Sequence, residues 1–109
     1  MTTATGLVDS IREALRIVID PELGYNIVDL GMVYDVAVEP DGHAYVVMTT
    51  TTRGCPATTY LTEGARESVG TVPGVGAVDV MLSYDPPWTP HMMSPEAKQH
   101  FGIDDDERW

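Results

Sequence analysis

Apolar residues near the start of the chain fall at helical spacing, with Val8, Ile11, Ala14, Leu15 and Val18 returning every three or four positions. The pattern predicts a first helix with Thr5 as its N-cap and Pro21 as its stop. Asp20-Pro21-Glu22-Leu23-Gly24-Tyr25-Asn26 reads as a turn-rich loop, since Asp-Pro starts turns and Gly24 and Asn26 tolerate positive φ. Ile27 to Gly31 then leads into a strand. From Met32 to Glu39 the period changes to two, placing Met32, Tyr34, Val36 and Val38 on one face and Val33, Asp35, Ala37 and Glu39 on the other. Pro40-Asp41-Gly42 is turn chemistry and the β-rich segment His43 to Thr52 follows, so the two strands form an antiparallel hairpin.

Beyond Pro56, Ala57, Leu61, Ala65 and Val69 share one helical stripe while Glu63, Arg66 and Glu67 lie off it, which predicts a second helix packed on the sheet. Gly64 costs about 1 kcal/mol against alanine in a helix interior, and marks either a close approach to a strand or a tolerated position. Pro73-Gly74 turns the chain into a third strand, about Val75 to Ser83, and a strand-helix-strand succession implies a right-handed crossover. Asp85-Pro86-Pro87-Trp88-Thr89-Pro90 cannot continue a strand, because three prolines remove ladder donors, and reads as an extended arm. Ser94-Pro95-Glu96 opens a short C-terminal helix reaching Phe101, with Gly102 as its stop. The expected class is α+β, a two-layer domain in the order helix-strand-strand-helix-strand with a small mixed three-stranded sheet. Residues 1–103 form this single domain, and 104–109 an acidic tail.

Composition narrows the partners. The 109 residues suffice for one core that removes roughly 65% of the unfolded surface from water. Six basic residues against seventeen acidic ones give a net charge of -11, the wrong sign for phosphate backbones or anionic headgroups, so nucleic acid and membrane surfaces are not expected partners. Met1 to Ser10 carry no signal-peptide pattern, which points to the cytoplasm, where one cysteine is kept reduced.

That cysteine is the main chemical candidate. Cys55 lies in Thr49-Thr50-Thr51-Thr52-Arg53-Gly54-Cys55-Pro56, where a threonine run ends and a helical pattern begins. With Pro56 at the first helical position, Cys55 takes a cap position facing the helix amides, and Arg53 adds positive charge; both favour a thiolate, and hence a nucleophile or a metal ligand. A small buried apolar residue is an equally weighted alternative. The hairpin brings the loop before its first strand to the same end as the exit of the second, so Asp20, Glu22 and Asp29 could border the thiol, with hydroxyls from Thr50, Thr51 and Thr52. Alternation lets Thr50 and Thr52 share one face and puts Thr51 on the other. Against a site role stand plain β-propensity for the threonines and a local turn bond for Asp20. His43, His91 and His100 show no metal-ligand spacing. An iron-sulfur cluster ordinarily takes four ligands, so one chain with one thiol cannot hold one alone, whereas a dimer would place two cysteines at a shared, labile site.

Three segments together resemble a known family. Asp20-Pro21-Glu22 through Asn26-Ile27-Val28-Asp29-Leu30-Gly31 to Val33-Tyr34, then Thr49 to Pro56, then Pro86-Pro87-Trp88 with Met93-Ser94, look like the small metal-sulfur cluster assembly proteins of the SufT and PaaD type. The resemblance implies a cytoplasmic factor that delivers iron-sulfur clusters or iron to client apoproteins alongside other assembly proteins, holding a cluster only transiently. It maps the reactive cysteine and possible metal ligand to Cys55, the acidic loop to Asp20 and Glu22, and the threonine patch to Thr51 and Thr52. PaaD proteins carry further cysteines in a C-terminal extension, which this sequence lacks, and Arg53 stands where many relatives have a small or uncharged residue. Two other classes stand beside this reading. One is a thiol enzyme with Cys55 as nucleophile. The other is a non-catalytic accessory subunit of a metal-dependent oxygenase, docking through the Trp88 to Met93 arm.

Overall fold

The computed structural model describes residues 4–51 and 56–103. Helix α1 (Ala4–Leu15) opens the fold and already contains Thr5, which is therefore inside the helix rather than its cap. It ends well before Pro21. The amides of Arg16, Ile17 and Val18 bond the carbonyls of Glu13, Ala14 and Leu15 in tightening turns, and the β-branched run Ile17-Val18-Ile19 then favours extended backbone. Strand β1 (Ile19–Asp20) pairs antiparallel with β2 (Tyr25–Asn26), so the turn-rich loop is a miniature hairpin with Gly24 at φ +70°.

The main sheet has the order β3-β4-β5. Strand β3 (Val33–Val38) is antiparallel to β4 (Ala44–Met48), and β4 is parallel to β5 (Val78–Leu82) through the helix α2 (Thr58–Gly70). The expected mixed three-stranded sheet is thus present, with shorter strands than the sequence suggested. Strict alternation in β3 fails at one place. Val33 pairs with Met48 and Asp35 with Val47, so Tyr34 is an extra residue in a bulge and falls out of step with Val36.

Ala44, Val46 and Met48 of β4 are fully buried and face a layer built from Ile11 and Leu15 of α1 and Leu61, Ala65 and Val69 of α2. The alternate residues Tyr45 and Val47 stay half-exposed on the other face, which makes the domain two-layered. Gly64 approaches a loop rather than a strand: a Cβ there would sit 3.4 Å from Val18 Cγ1.

The proline-rich segment after β5 folds back instead of extending away. Trp88 Nε1 donates to the Leu30 carbonyl at 2.7 Å, and the Tyr34 hydroxyl donates to the Pro86 carbonyl at 2.7 Å. A short 3-10 turn (Pro90–Met92) presses its backbone on Gly31, whose φ of +79° and lack of a side chain permit the contact. Helix α3 (Pro95–Phe101) closes the domain with Ser94 Oγ accepting from the Ala97 amide and Gly102 left-handed at φ +71°, as its cap chemistry predicts. No described helix is long and apolar enough to cross a membrane.

Candidate functional site

The candidate site lies where β4 and β5 both end and α2 begins. Beyond Met48 the chain leaves the ladder, so the alternation expected for the threonines does not extend to them: Thr49 and Thr50 are both buried, and Thr51 is half-exposed. Thr49 Oγ1 donates to the Thr50 carbonyl at 3.3 Å, and Thr50 Oγ1 meets the Tyr84 hydroxyl at 2.8 Å. The Ser83 amide bonds the Met48 carbonyl at 2.9 Å, which ties the exit of β5 to that of β4. Burial raises the Tyr34 hydroxyl above its ordinary pKa, with a side-chain hydrogen bond to Thr49 partly offsetting the shift.

Thr52, Arg53 and Cys55 lie outside the described residues. The start of α2 does bear on the expectation for Cys55, because the N-cap is Ala57 and the first helical residue is Thr58. Pro56 is accordingly in the preceding turn, and Cys55 stands two positions ahead of the N-cap rather than on it. Ala57 offers no side-chain acceptor and the first turn holds no acidic residue, so no carboxylate within α2 offsets the partial positive charge of its N-terminus.

Asp20 is buried on the miniature hairpin. Its Oδ1 accepts from the amides of Glu22, at 2.7 Å, and Leu23, at 3.0 Å, the local turn bonding that an aspartate before a proline favours. Glu22 is exposed on that turn. Asp29 is engaged as well: Arg16 Nη2 approaches Oδ2 at 2.9 Å, Asn26 Nδ2 donates to the same oxygen at 2.8 Å, and the Asn26 side chain accepts from the Asp29 amide. Three successive backbone bonds join this acidic hairpin to the threonines, from Ile27 N to Val18 O, from Met32 N to Ile27 O, and from Thr49 N to Met32 O. The hairpin that carries Asp20 and Glu22 and the chain entering the Cys55 segment therefore share one frame.

Two of the histidines, His43 and His100, have partners away from the threonine end. His43 Nε2 meets Asp79 Oδ2 at 2.6 Å with its ring stacked on Tyr45, and His100 packs against Tyr25 and Phe101. Among the described residues no three His, Cys, Asp or Glu side chains gather in a way that could hold a metal ion. The arm's apolar anchors are turned toward its own domain, with Met93 buried and the Met92 sulfur 3.6 Å from the Tyr34 hydroxyl. Sequence reasoning missed Tyr34 and Tyr84, whose hydroxyls hold the threonine end. Their only signal was a polar-tipped aromatic at each strand boundary.

The chain is similar to a family of known proteins throughout this region. It is 40% identical over 97 residues to the Fe-S protein maturation auxiliary factor YitW of Bacillus subtilis, covering 89% of this chain and 95% of that protein. With the Fe-S protein maturation auxiliary factor SufT of Staphylococcus aureus it shares 41% over 86 residues, covering 79% and 98%. A crystal structure of a DUF59 domain from Bacillus anthracis superposes with a TM-score of 0.87 at 36% identity, over 93% of this chain and 96% of that one. The model of the iron-sulfur cluster assembly protein family matches residues 8–80, a span that runs from α1 through the acidic hairpin and the Cys55 segment into β5, and the chain belongs to that family.

Proposed function

We propose that this protein matures iron-sulfur proteins, taking up a cluster or iron on Cys55 and passing it to client apoproteins. The observation that carries the reading is the family match itself, which spans the acidic hairpin and the sole cysteine in one stretch, together with relatives named as Fe-S maturation factors. Asp20, Glu22, Thr51, Thr52 and Arg53 border the thiol in this proposal. Given the turn bonding of Asp20, its role is to hold the hairpin in shape, and Glu22 lies exposed on the same turn.

Ligand arithmetic supports carriage over storage. One chain supplies one thiolate, a homodimer two, and a cluster ordinarily takes four ligands, so the remainder come from other assembly proteins, small thiols or the client. Transfer is then an exchange of thiolates, in which a client cysteine loses its proton on binding and Cys55 regains one on release. For the accessory-subunit reading the structure bears only on the proposed docking arm, where Trp88 and Met93 are engaged by the protein's own loop and core. A thiol enzyme would need a base beside Cys55, and rapid stoichiometric alkylation of Cys55 at neutral pH with substrate turnover would favour that reading.

Anaerobic reconstitution with iron and sulfide, followed by visible spectroscopy and native mass measurement, tests the reading. Wild type should gain cluster absorbance and activate an apo iron-sulfur enzyme, whereas Cys55→Ala should do neither. Equal cluster uptake and equal client activation by the variant would remove the thiol from the mechanism.

A further inference from the structure

We infer that the groove between the end of α1 and the outer side of α2 is a docking surface for a basic, amphipathic segment of a partner protein. Ile17 and Tyr60, 72% and 61% exposed, are the two most exposed large hydrophobic residues among those described, and both line this one groove of about 460 Å³. Val18 and Gly64 form its floor. Adding a Cβ at Gly64 would meet only the methyl groups of Val18, so the missing side chain leaves a trough between Ile17 and Tyr60.

The surroundings select the occupant. Tyr60, Gly64 and Glu67 follow at helical spacing down one side of α2, continued by its C-cap Thr71, and Glu63 adds a second exposed carboxylate to the rim. Arg66 is exposed on α2 but lies off that stripe, and Arg16, next to Ile17, is paired with Glu13 and Asp29. The rim is therefore acidic on a chain whose net charge is -11. The hydroxyls of Ser68 and Thr71 donate to the carbonyls of Ala65 and Ser68, at 3.1 and 2.7 Å, so the groove lacks the convergent free donors of a small-molecule site. Apolar side chains flanked by lysine or arginine match both its shape and its charge.

This surface deepens the maturation proposal and rests on it, because Tyr60 follows Cys55 closely in the chain; its test nevertheless uses no iron. The isotope-labelled full chain is titrated with a synthetic helical peptide of leucine and lysine, and separately with its leucine and glutamate counterpart, while amide shifts are recorded. The lysine peptide should bind and move signals of Ile17, Gly64 and Thr71, and the glutamate peptide should not. Glu63→Lys/Glu67→Lys should weaken binding about tenfold, while Asp9→Lys/Glu96→Lys, of equal net charge, should change it by less than about twofold. Tyr60→Ser should weaken binding without lowering the thermal transition. Shifts centred elsewhere, equal effects of the two double variants, or equal binding of both peptides would overturn the assignment. Concentration-dependent shifts at the groove without peptide would also overturn it, by making a second copy the occupant. Failure here leaves the Cys55 proposal standing, and loss of cluster transfer in Cys55→Ala with peptide binding intact leaves this one standing.

Discussion

Replacing Gly31 by alanine isolates the clasp between the proline-rich arm and the loop before β3. The left-handed backbone at Gly31, φ +79°, costs an alanine about 1–2 kcal/mol. Its Cβ would also stand 2.2 Å from the Met92 carbonyl oxygen, against an ordinary contact of 3.4 Å or more, so the arm must retreat by roughly 1 Å. That retreat strains the Trp88 Nε1 bond to Leu30 and the Tyr34 bond to Pro86, both 2.7 Å and each worth about 1 kcal/mol. The total is about 3–4 kcal/mol. Gly24→Ala is the matched control, since φ is +70° there but nothing lies within 4 Å of the added carbon, and only the backbone penalty of about 1–2 kcal/mol applies. In a domain of this size the difference corresponds to a gap of about 10 °C in Tm. Urea unfolding followed by circular dichroism, with calorimetry, measures both. Equal destabilisation by the two variants would refute the clasp, as would strict additivity of Gly31→Ala with Trp88→Phe, because a bond already lost cannot be lost again.

Trp88→Phe alone should cost about 1 kcal/mol in urea unfolding, by leaving the Leu30 carbonyl without its donor, and an unchanged midpoint would show that water replaces the indole. Arg16→Ala should cost about 1–2 kcal/mol, since Asp29 is buried while Arg16 is partly solvated, and Arg16→Lys should recover only part of it; full recovery by lysine would show that a point charge suffices. Tyr45 is pushed up to about 12, first by its hydrogen bond to Glu39 and then by desolvation and neighbouring carboxylates. The raised folded value means that this bond's stabilisation is present below the ordinary tyrosine pKa of about 10 and is lost as pH rises through about 12. Glu39→Gln should bring that tyrosine back toward about 10 in a tyrosinate absorbance titration, and an unmoved profile would remove Glu39 as the cause.

What could be read from the sequence was local chemistry and periodicity. The final helix was legible to its ends because its determinants are adjacent in the chain: Ser94 caps it, Pro95 starts it and Gly102 stops it. The sheet was legible because β4 alternates cleanly. The bulge at Tyr34 was not, since a single unpaired residue leaves the hydrophobic pattern almost intact and is fixed only by the partner strand. The folding back of the arm is not legible for a related reason. Three prolines correctly forbid a strand, but the bond from Trp88 to Leu30 spans 58 positions and leaves no mark in either segment. At the candidate site, a turn-forming role for Asp20 could be weighed in advance because Asp-Pro chemistry is local. The start of α2 lies two residues beyond the predicted one because Pro56 suits a preceding turn as well as a first helical position.

The frame around the Cys55 segment also bears on how a carrier of this kind divides its tasks. On one side β4 ends in buried threonines tied to Tyr84 and Met32; on the other α2 begins at Thr58, anchored by the buried Leu61 and Ala65. Backbone bonds carry the same frame from Thr49 to the acidic hairpin. A resident cofactor would call for a complete ligand set built into that frame, because each further protein ligand deepens binding and slows release. Under the proposal made above, a single cysteine has the opposite consequence: the shortage of ligands would keep the cargo exchangeable. Adding a second cysteine to the same segment, for example Thr51→Cys, should then strengthen cluster retention and slow transfer to a client, and faster transfer would contradict the argument.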